Sequence, residues 1–344
     1  MKINIKKEEL SKLNKINEDN YKLLKYLHNY LFYYDRCINK EMIDDLLKYD
    51  LDEEYAFYLL LVGLLDLDIE DKDQKYFLDN YLLKSIKKLE KEEYLNNPYY
   101  KNIKFNNVKI NNWTLKKNKY LKYQGFVYDD FIINKDYKEL VSLGFFNEEF
   151  SYLHVLENDL EWMSITPNEI NTMKEPINNA KGKVLTFGLG LGYYAYMVSL
   201  KEEVESVTII ERDQNVIKLF KEYILPQFEY KDKIKIINID AFNYMDKVNE
   251  YDYLFIDLWR DVSDGLDLYL KFKKYENKLN IKVDYWIEKS ILSYLRKEVL
   301  NNINKCLDNK ENYLNELDYE INNYDELIKF ISNENLKELA KKIN

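Results

Sequence analysis

Three of the chain's eight glycines, Gly188, Gly190 and Gly192, fall within five residues. They follow the apolar run KVLTF and open the run YYAYMVSL, so a buried strand passes directly into a helix across them. Glycine at such a turn adopts backbone conformations closed to other residues and lets the main chain approach a ligand closely. The helix that follows presents unpaired N–H groups at its start, which suits a polar or anionic ligand group.

The surroundings of this turn define a fold class. From Gly182 onward the apolar segments KVLTFG, SVTIIE, KIKIIN, YDYLFID and VDYWIE alternate with amphipathic helices, the last beginning near Ser290. That alternation predicts an α/β domain with a mainly parallel sheet covered on both faces. Glu211 closes the second segment, nineteen residues after Gly192. A doubly wound sheet places there the carboxylate that accepts hydrogen bonds from ribose hydroxyls. Asp240 and Ala241 follow the third segment and Asp257 ends the fourth, so all these features lie at carboxyl ends of strands, where open α/β sheets bind ligands. Counted from Gly190, GLGYYA also fits the dinucleotide fingerprint that ends in alanine, which keeps a nicotinamide enzyme among the alternatives.

Taken in order, these motifs resemble the class I fold of methyltransferases dependent on S-adenosylmethionine (SAM), and within it the spermidine-synthase-like branch. FGLGLG resembles the glycine motif, VTIIERDQNVIKLFKEYILP the ribose-binding strand and helix, INIDAF the adenine-side motif and YDYLFIDLW the fourth strand. The resemblance implies a Rossmann-like domain with SAM as cofactor. Gly188, Gly190 and Gly192 would frame its methionine part, Glu211 its ribose, and Asp240 with Ala241 its adenine, while Asp257 would face the reacting centre as the catalytic carboxylate. The segment WMSITPNEI corresponds to a hairpin that closes the site in that branch, which makes Trp162, Asn168 and Glu169 candidate substrate residues. Trp259, just beyond Asp257, is another, by stacking on an acceptor or by cation–π attraction to a sulfonium.

Two departures bear on the reaction. Thr186 stands where many methyltransferases carry an acid, and LWRDVSD after Asp257 is neither Asn-Pro-Pro-Tyr nor the Ser- and Pro-containing loop of true aminopropyltransferases. The expectation is a methyltransferase acting on a small-molecule acceptor. The alternatives are an aminopropyltransferase-like enzyme using decarboxylated SAM and a polyamine, with Asp257, Asp261 and Asp264 on the ammonium, and a non-catalytic nucleotide-binding module that recruits a partner.

The rest of the chain divides by texture. Residues 1–102 show helical apolar spacing, as in Leu23, Leu27, Tyr30 and Leu31, and the run YFLDNYLLKSIKKLEKEEYL reads as one helix ending before Asn96. Residues 103–165 carry short β-branched and aromatic runs, predicting a small β-rich cap. The Rossmann-like domain is expected over 166–300 and a helical extension over 301–344. A net charge of −10 argues against nucleic acid as a partner, the lysine-rich stretch Lys84–Lys122 being read as a solvated face. Cys37 and Cys306 form no metal pattern, and the longest apolar run, Tyr55–Leu65, is too short for a membrane span, so the chain reads as cytoplasmic and metal-free. Of the two histidines, His28 reads as a surface or packing residue and His154 as a possible base in the cap. Asn97-Pro98-Tyr99-Tyr100 imitates an amino-methyltransferase motif but follows a charged helix rather than a buried strand.

Overall fold

The computed structural model describes residues 1–104, 107–276, 278–308, 318–332 and 335–336; the remainder of the expected extension over 301–344 lies outside the described residues. Helix α1 (Lys7–Tyr33) is 27 residues long, about 40 Å at the helical rise. Its first turns bury Leu10 and Leu13 among the C-terminal helices, whereas Leu23, Leu27 and Tyr30 pack with helices Lys40–Leu47 and Glu53–Leu64. A strand of two residues ahead of it, Lys2–Ile3, pairs in parallel with Glu320–Ile321, and Asn14 and Asn304 exchange amide hydrogen bonds. The amino-terminal helix thus bridges two cores.

The run expected to form one helix up to Asn96 is interrupted. Helical structure stops at Ser85, Ile86–Lys88 is a strand, and a short helix resumes at Lys91–Leu95. That strand pairs with Leu143–Phe145 from the β-rich segment, a partner distant in sequence that overrides the local helical spacing. A second short helix, α2 (Pro98–Asn102), starts on the side chain of Asn97, which accepts the Tyr99 amide as an N-cap.

The β-rich segment forms a four-stranded antiparallel sheet of β1 (Val108–Ile110), β2 (Trp113–Tyr120), β3 (Phe150–Glu157) and β4 (Leu160–Ile165), in the order β4-β3-β2-β1. The β3–β4 hairpin carries a register shift between Glu161 and Met163, a bulge that re-aims the side chains beyond it. Helix α3 (Pro167–Thr172) follows directly.

The C-terminal domain is the expected α/β unit. Strands β5 (Gly182–Phe187), β6 (Val204–Glu211), β7 (Ile234–Asn238), β8 (Tyr253–Ile256) and β9 (Lys282–Tyr285) lie in the order β7-β6-β5-β8-β9, every pair parallel. Among the described residues the sheet ends at β9, and helix α4 (Glu288–Asp308) follows it. The two central strands are apolar on both faces because both are covered. Val184 and Phe255 face one core, shared with the β-rich sheet, while Leu185, Leu254 and Ile256 face the other, shared with α4 and helix Val262–Glu276. A buried ion pair locks the two halves together: Arg296 on α4 donates to Glu139 at 2.6 Å, and Ser293 donates to the other carboxylate oxygen. Strand order reverses between β5 and β8, the crevice in which doubly wound sheets hold ligands.

Candidate active site

The glycine turn occupies that crevice, between the end of β5 and the helix Tyr193–Ser199. Gly188, Gly190 and Gly192 have φ of 101°, 52° and 73°, all in the region that L side chains avoid. Space is equally restrictive at the first of them: a Cβ at Gly188 would stand 1.9 Å from the Asp257 carbonyl oxygen. At Gly192 the obstacle is the Phe220 ring, 2.2 Å away, and at Gly190 it is the Met163 sulfur, 2.3 Å away. Met163 comes from the β3–β4 hairpin, and its sulfur also accepts the Leu191 amide at 3.1 Å. The turn is therefore covered by a flexible thioether from the cap.

Three carboxylates border this turn. Glu211 at the end of β6 is 8% exposed. One of its oxygens accepts the Asp213 amide at 2.8 Å and the other the Leu189 amide at 3.3 Å, so the acid also shapes the turn. Burial raises its pKa and these amides partly counter that. Asp257 at the end of β8 is pushed up to about 7, first by burial and then by the charge of Glu211. Glu169 on α3 is 6% exposed and is held well above the usual carboxylate range by burial and then by Asp257. Among the described residues neither Glu169 nor Asp257 has a hydrogen bond or ion pair to its carboxyl group. The expected candidates Glu169, Glu211 and Asp257 thus form one electrostatically linked set of acids beside the glycines, with no Lys or Arg paired to them among the described residues.

The other candidates are placed differently. Asp240 sits at the tip of edge strand β7, where its carboxylate accepts the Phe242 amide at 2.9 Å and starts the helical segment Ala241–Glu250, with Ala241 buried. Asn238 ties that tip to β6 by donating to the Glu211 and Arg212 carbonyls. Trp162 packs edge-on against Trp113 at 5.0 Å. Asn168 lies within α3, its carbonyl accepting the Thr172 hydroxyl. Trp259 is 5% exposed, donates to the Trp286 carbonyl and stacks on Tyr285; the ring expected to meet an acceptor is enclosed in the core. Asp261 and Asp264 are committed locally as well. Asp261 accepts the Ser263 amide and hydroxyl, and Asp264 accepts the Arg260 amide and guanidinium. His154 bonds Glu161 at 2.9 Å within the cap.

Three residues join the site from outside the expected set. Tyr99 on α2 is fully buried and donates its hydroxyl to the Leu191 carbonyl at 2.6 Å. Asn97 donates to the Tyr193 hydroxyl at 2.9 Å; burial raises that phenol's pKa, Asn97 lowers it, and Glu169 raises it again, which sets Tyr193 beside the acids. Met163 is the third. The Asn97-Pro98-Tyr99-Tyr100 segment thereby reaches the glycine turn as a buttress rather than as an acceptor-binding motif. Among the described residues no three His, Cys, Asp or Glu side chains converge as metal ligands do, and no helix is long and apolar enough to cross a membrane.

A parallel sheet of this order, with glycines and acids at its carboxyl edge, invites comparison with known proteins. Residues 170–321 match the spermine/spermidine synthase domain. No curated protein matches the chain in sequence. Similar solved structures include the spermidine synthase from Thermotoga maritima, at 16% identity and a TM-score of 0.30, covering 42% of this chain and 55% of that one. A spermidine synthase in complex with the transition-state analogue AdoDATO is 23% identical, with a TM-score of 0.26 and coverage of 31% and 39%. The chain therefore spans about half the length of the first structure and less of the second. The domain is Rossmann-like, and its family match lies among transferases.

Proposed function

We propose that the chain is a transferase that moves an alkyl group from an adenosyl sulfonium to an amine, and that aminopropyl transfer from decarboxylated SAM describes it better than methyl transfer from SAM. The observation that carries this reading is the buried set Glu169, Asp257 and Glu211, of which the first two have neither a hydrogen bond nor an ion pair to the carboxyl group among the described residues. Removing a carboxylate from water costs several kcal/mol unless a cation or hydrogen bonds offset it, so such a set suits a cationic ligand. Decarboxylated SAM carries a sulfonium and an ammonium and no carboxylate, whereas the carboxylate of SAM would add a further negative charge next to these acids. The match to the spermine/spermidine synthase domain supports the same direction.

The residues present fit such a donor. Each oxygen of Glu211 keeps a lone pair beyond its amide bond for a ribose hydroxyl, and the glycines allow the main chain to lie against the ligand once the Met163 thioether swings aside. When bound, the sulfonium supplies a neutral thioether as leaving group. The chain's part is to orient the acceptor for in-line attack and keep its lone pair free. Asp257, with a pKa near neutrality, is suited to take a proton from an ammonium acceptor, and Glu169 to hold the positive charge nearby. The loop LWRDVSD, unlike that of true aminopropyltransferases, is the one feature that favours methyl transfer.

Calorimetry with decarboxylated SAM, SAM and methylthioadenosine tests the reading. Binding of decarboxylated SAM at least about tenfold tighter than SAM, a difference of roughly 1.4 kcal/mol, is the expected result. Tighter binding of SAM, or transfer of a labelled methyl group to an acceptor, would replace it with the methyltransferase reading.

A further inference from the structure

At the opposite, amino-terminal end of the parallel sheet lies a second site. A hollow of about 430 Å³ opens there against one face of β5, β6 and β7. Register fixes what lines it: Lys183 on β5 is level with Ser206 on β6, and Thr208, two residues further along the same face of β6, is level with Lys235 on β7. Two ammonium groups therefore flank two hydroxyls. Thr208 is 4% exposed, yet among the described residues its hydroxyl has no hydrogen-bond partner, and neither has that of Ser206. Both hydroxyls are directed at the hollow from a sheet face that is otherwise apolar at this depth, with Leu185 and Ile210 alongside. Neither Lys183 nor Lys235 forms an ion pair among the described residues.

Four donors that line one open space on one sheet face, two of them cations unpaired among the described residues, call for an acceptor-rich anion. We infer that the hollow binds a phosphorylated small molecule, its phosphate held by Lys183, Lys235, Ser206 and Thr208. A phosphate offers three acceptor oxygens at one centre, and lysine serves it well as a point charge. The hollow is larger than a phosphate alone, and its remaining walls are Asp232, Ile234, Glu250, Tyr251 and Lys233, whose ammonium donates to the Lys201 carbonyl. Those carboxylates suit the hydroxyls of an attached sugar and disfavour a polyanion, so the ligand is a phosphate monoester of sugar or nucleoside size. This site is independent of the acids at the other end of the strands.

Thermal unfolding at fixed ionic strength tests the inference, with ribose 5-phosphate and glucose 6-phosphate as probes and ribose and glucose as controls. The phosphate esters are expected to raise the melting temperature and their phosphate-free counterparts to leave it unchanged. The Lys183→Ala, Lys235→Ala double variant, altered only at exposed side chains, should bind the esters at least about tenfold more weakly, and Thr208→Val should weaken them as well. Asp257→Asn should leave the shift intact, which separates this site from the proposed transferase centre. No stabilisation by either ester at millimolar concentration, or a shift that persists in the double lysine variant, would overturn the proposal.

Discussion

Neutralising Asp257 should make the ligand-free protein more stable at neutral pH than the natural chain, although it removes the residue proposed to handle the acceptor's proton. The sign follows from linkage. A carboxyl group whose pKa is raised on folding binds its proton more tightly in the native state, so its contribution is fully favourable below the unfolded value and is lost as pH rises through the folded one. For Asp257 that window runs from the ordinary aspartate value of 3.8 to about 7. Three units at about 1.4 kcal/mol each give an upper figure of about 4 kcal/mol. Because the strain is shared with Glu211 and Glu169 and an amide also requires partners, we expect about 2 kcal/mol. Urea unfolding of the natural chain and Asp257→Asn between pH 5 and pH 8 measures it directly. The natural chain should lose about 1 kcal/mol more than the variant over that interval, the upper part of the window, and adding Glu169→Gln should flatten the profile further. Parallel profiles for the natural chain and Asp257→Asn would refute the claim that these acids are buried against one another without compensation.

Other perturbations probe the scaffold of the site. Met163→Ala clears the glycine turn, so calorimetry should find adenosyl ligands bound about tenfold more tightly, at a stability cost of about 1 to 3 kcal/mol measured by denaturation. Gly188→Ala sets a Cβ against the Asp257 carbonyl, which has no room to yield, and should cost more than about 3 kcal/mol or abolish folding, as circular dichroism would report. Tyr99→Phe keeps the packing but strands the Leu191 carbonyl in the core; chemical denaturation should register a loss of about 1 to 2 kcal/mol, with weaker ligand binding.

The parts of this structure that were readable from the sequence are those whose signal is local. The cores of KVLTF and YDYLFI, Val184-Leu185 and Tyr253–Ile256, are apolar on successive residues because both faces of the parallel sheet are covered, and the ends of the two segments point to Gly188 and Asp257 without any knowledge of strand order. The strand Ile86–Lys88 was hidden, since its three residues continue a helical spacing and owe their conformation to pairing with Leu143–Phe145. Trp259 was ambiguous for a related reason: a tryptophan beside an active-site acid has the same local signature whether it meets a ligand or, as here, fills the core against Tyr285. Tyr99 could not have been assigned to the glycine turn, because its partner Leu191 lies 92 residues away. Glu169 was reachable only through the resemblance of its segment to a closing hairpin, not through any property of the residue itself.

The grip of Tyr99 and Asn97 on the glycine helix has a mechanical meaning for the whole chain. Three side chains of one short segment hold the turn and its helix, Asn102 adding a bond to Tyr196, so the ligand cradle is tied to a segment outside the α/β domain as well as to its own strands. Energetic coupling between two sites is reciprocal. A macromolecule that held this segment would retune the affinity of the cradle, and a small molecule seated in the cradle would change that macromolecule's affinity by the same free energy.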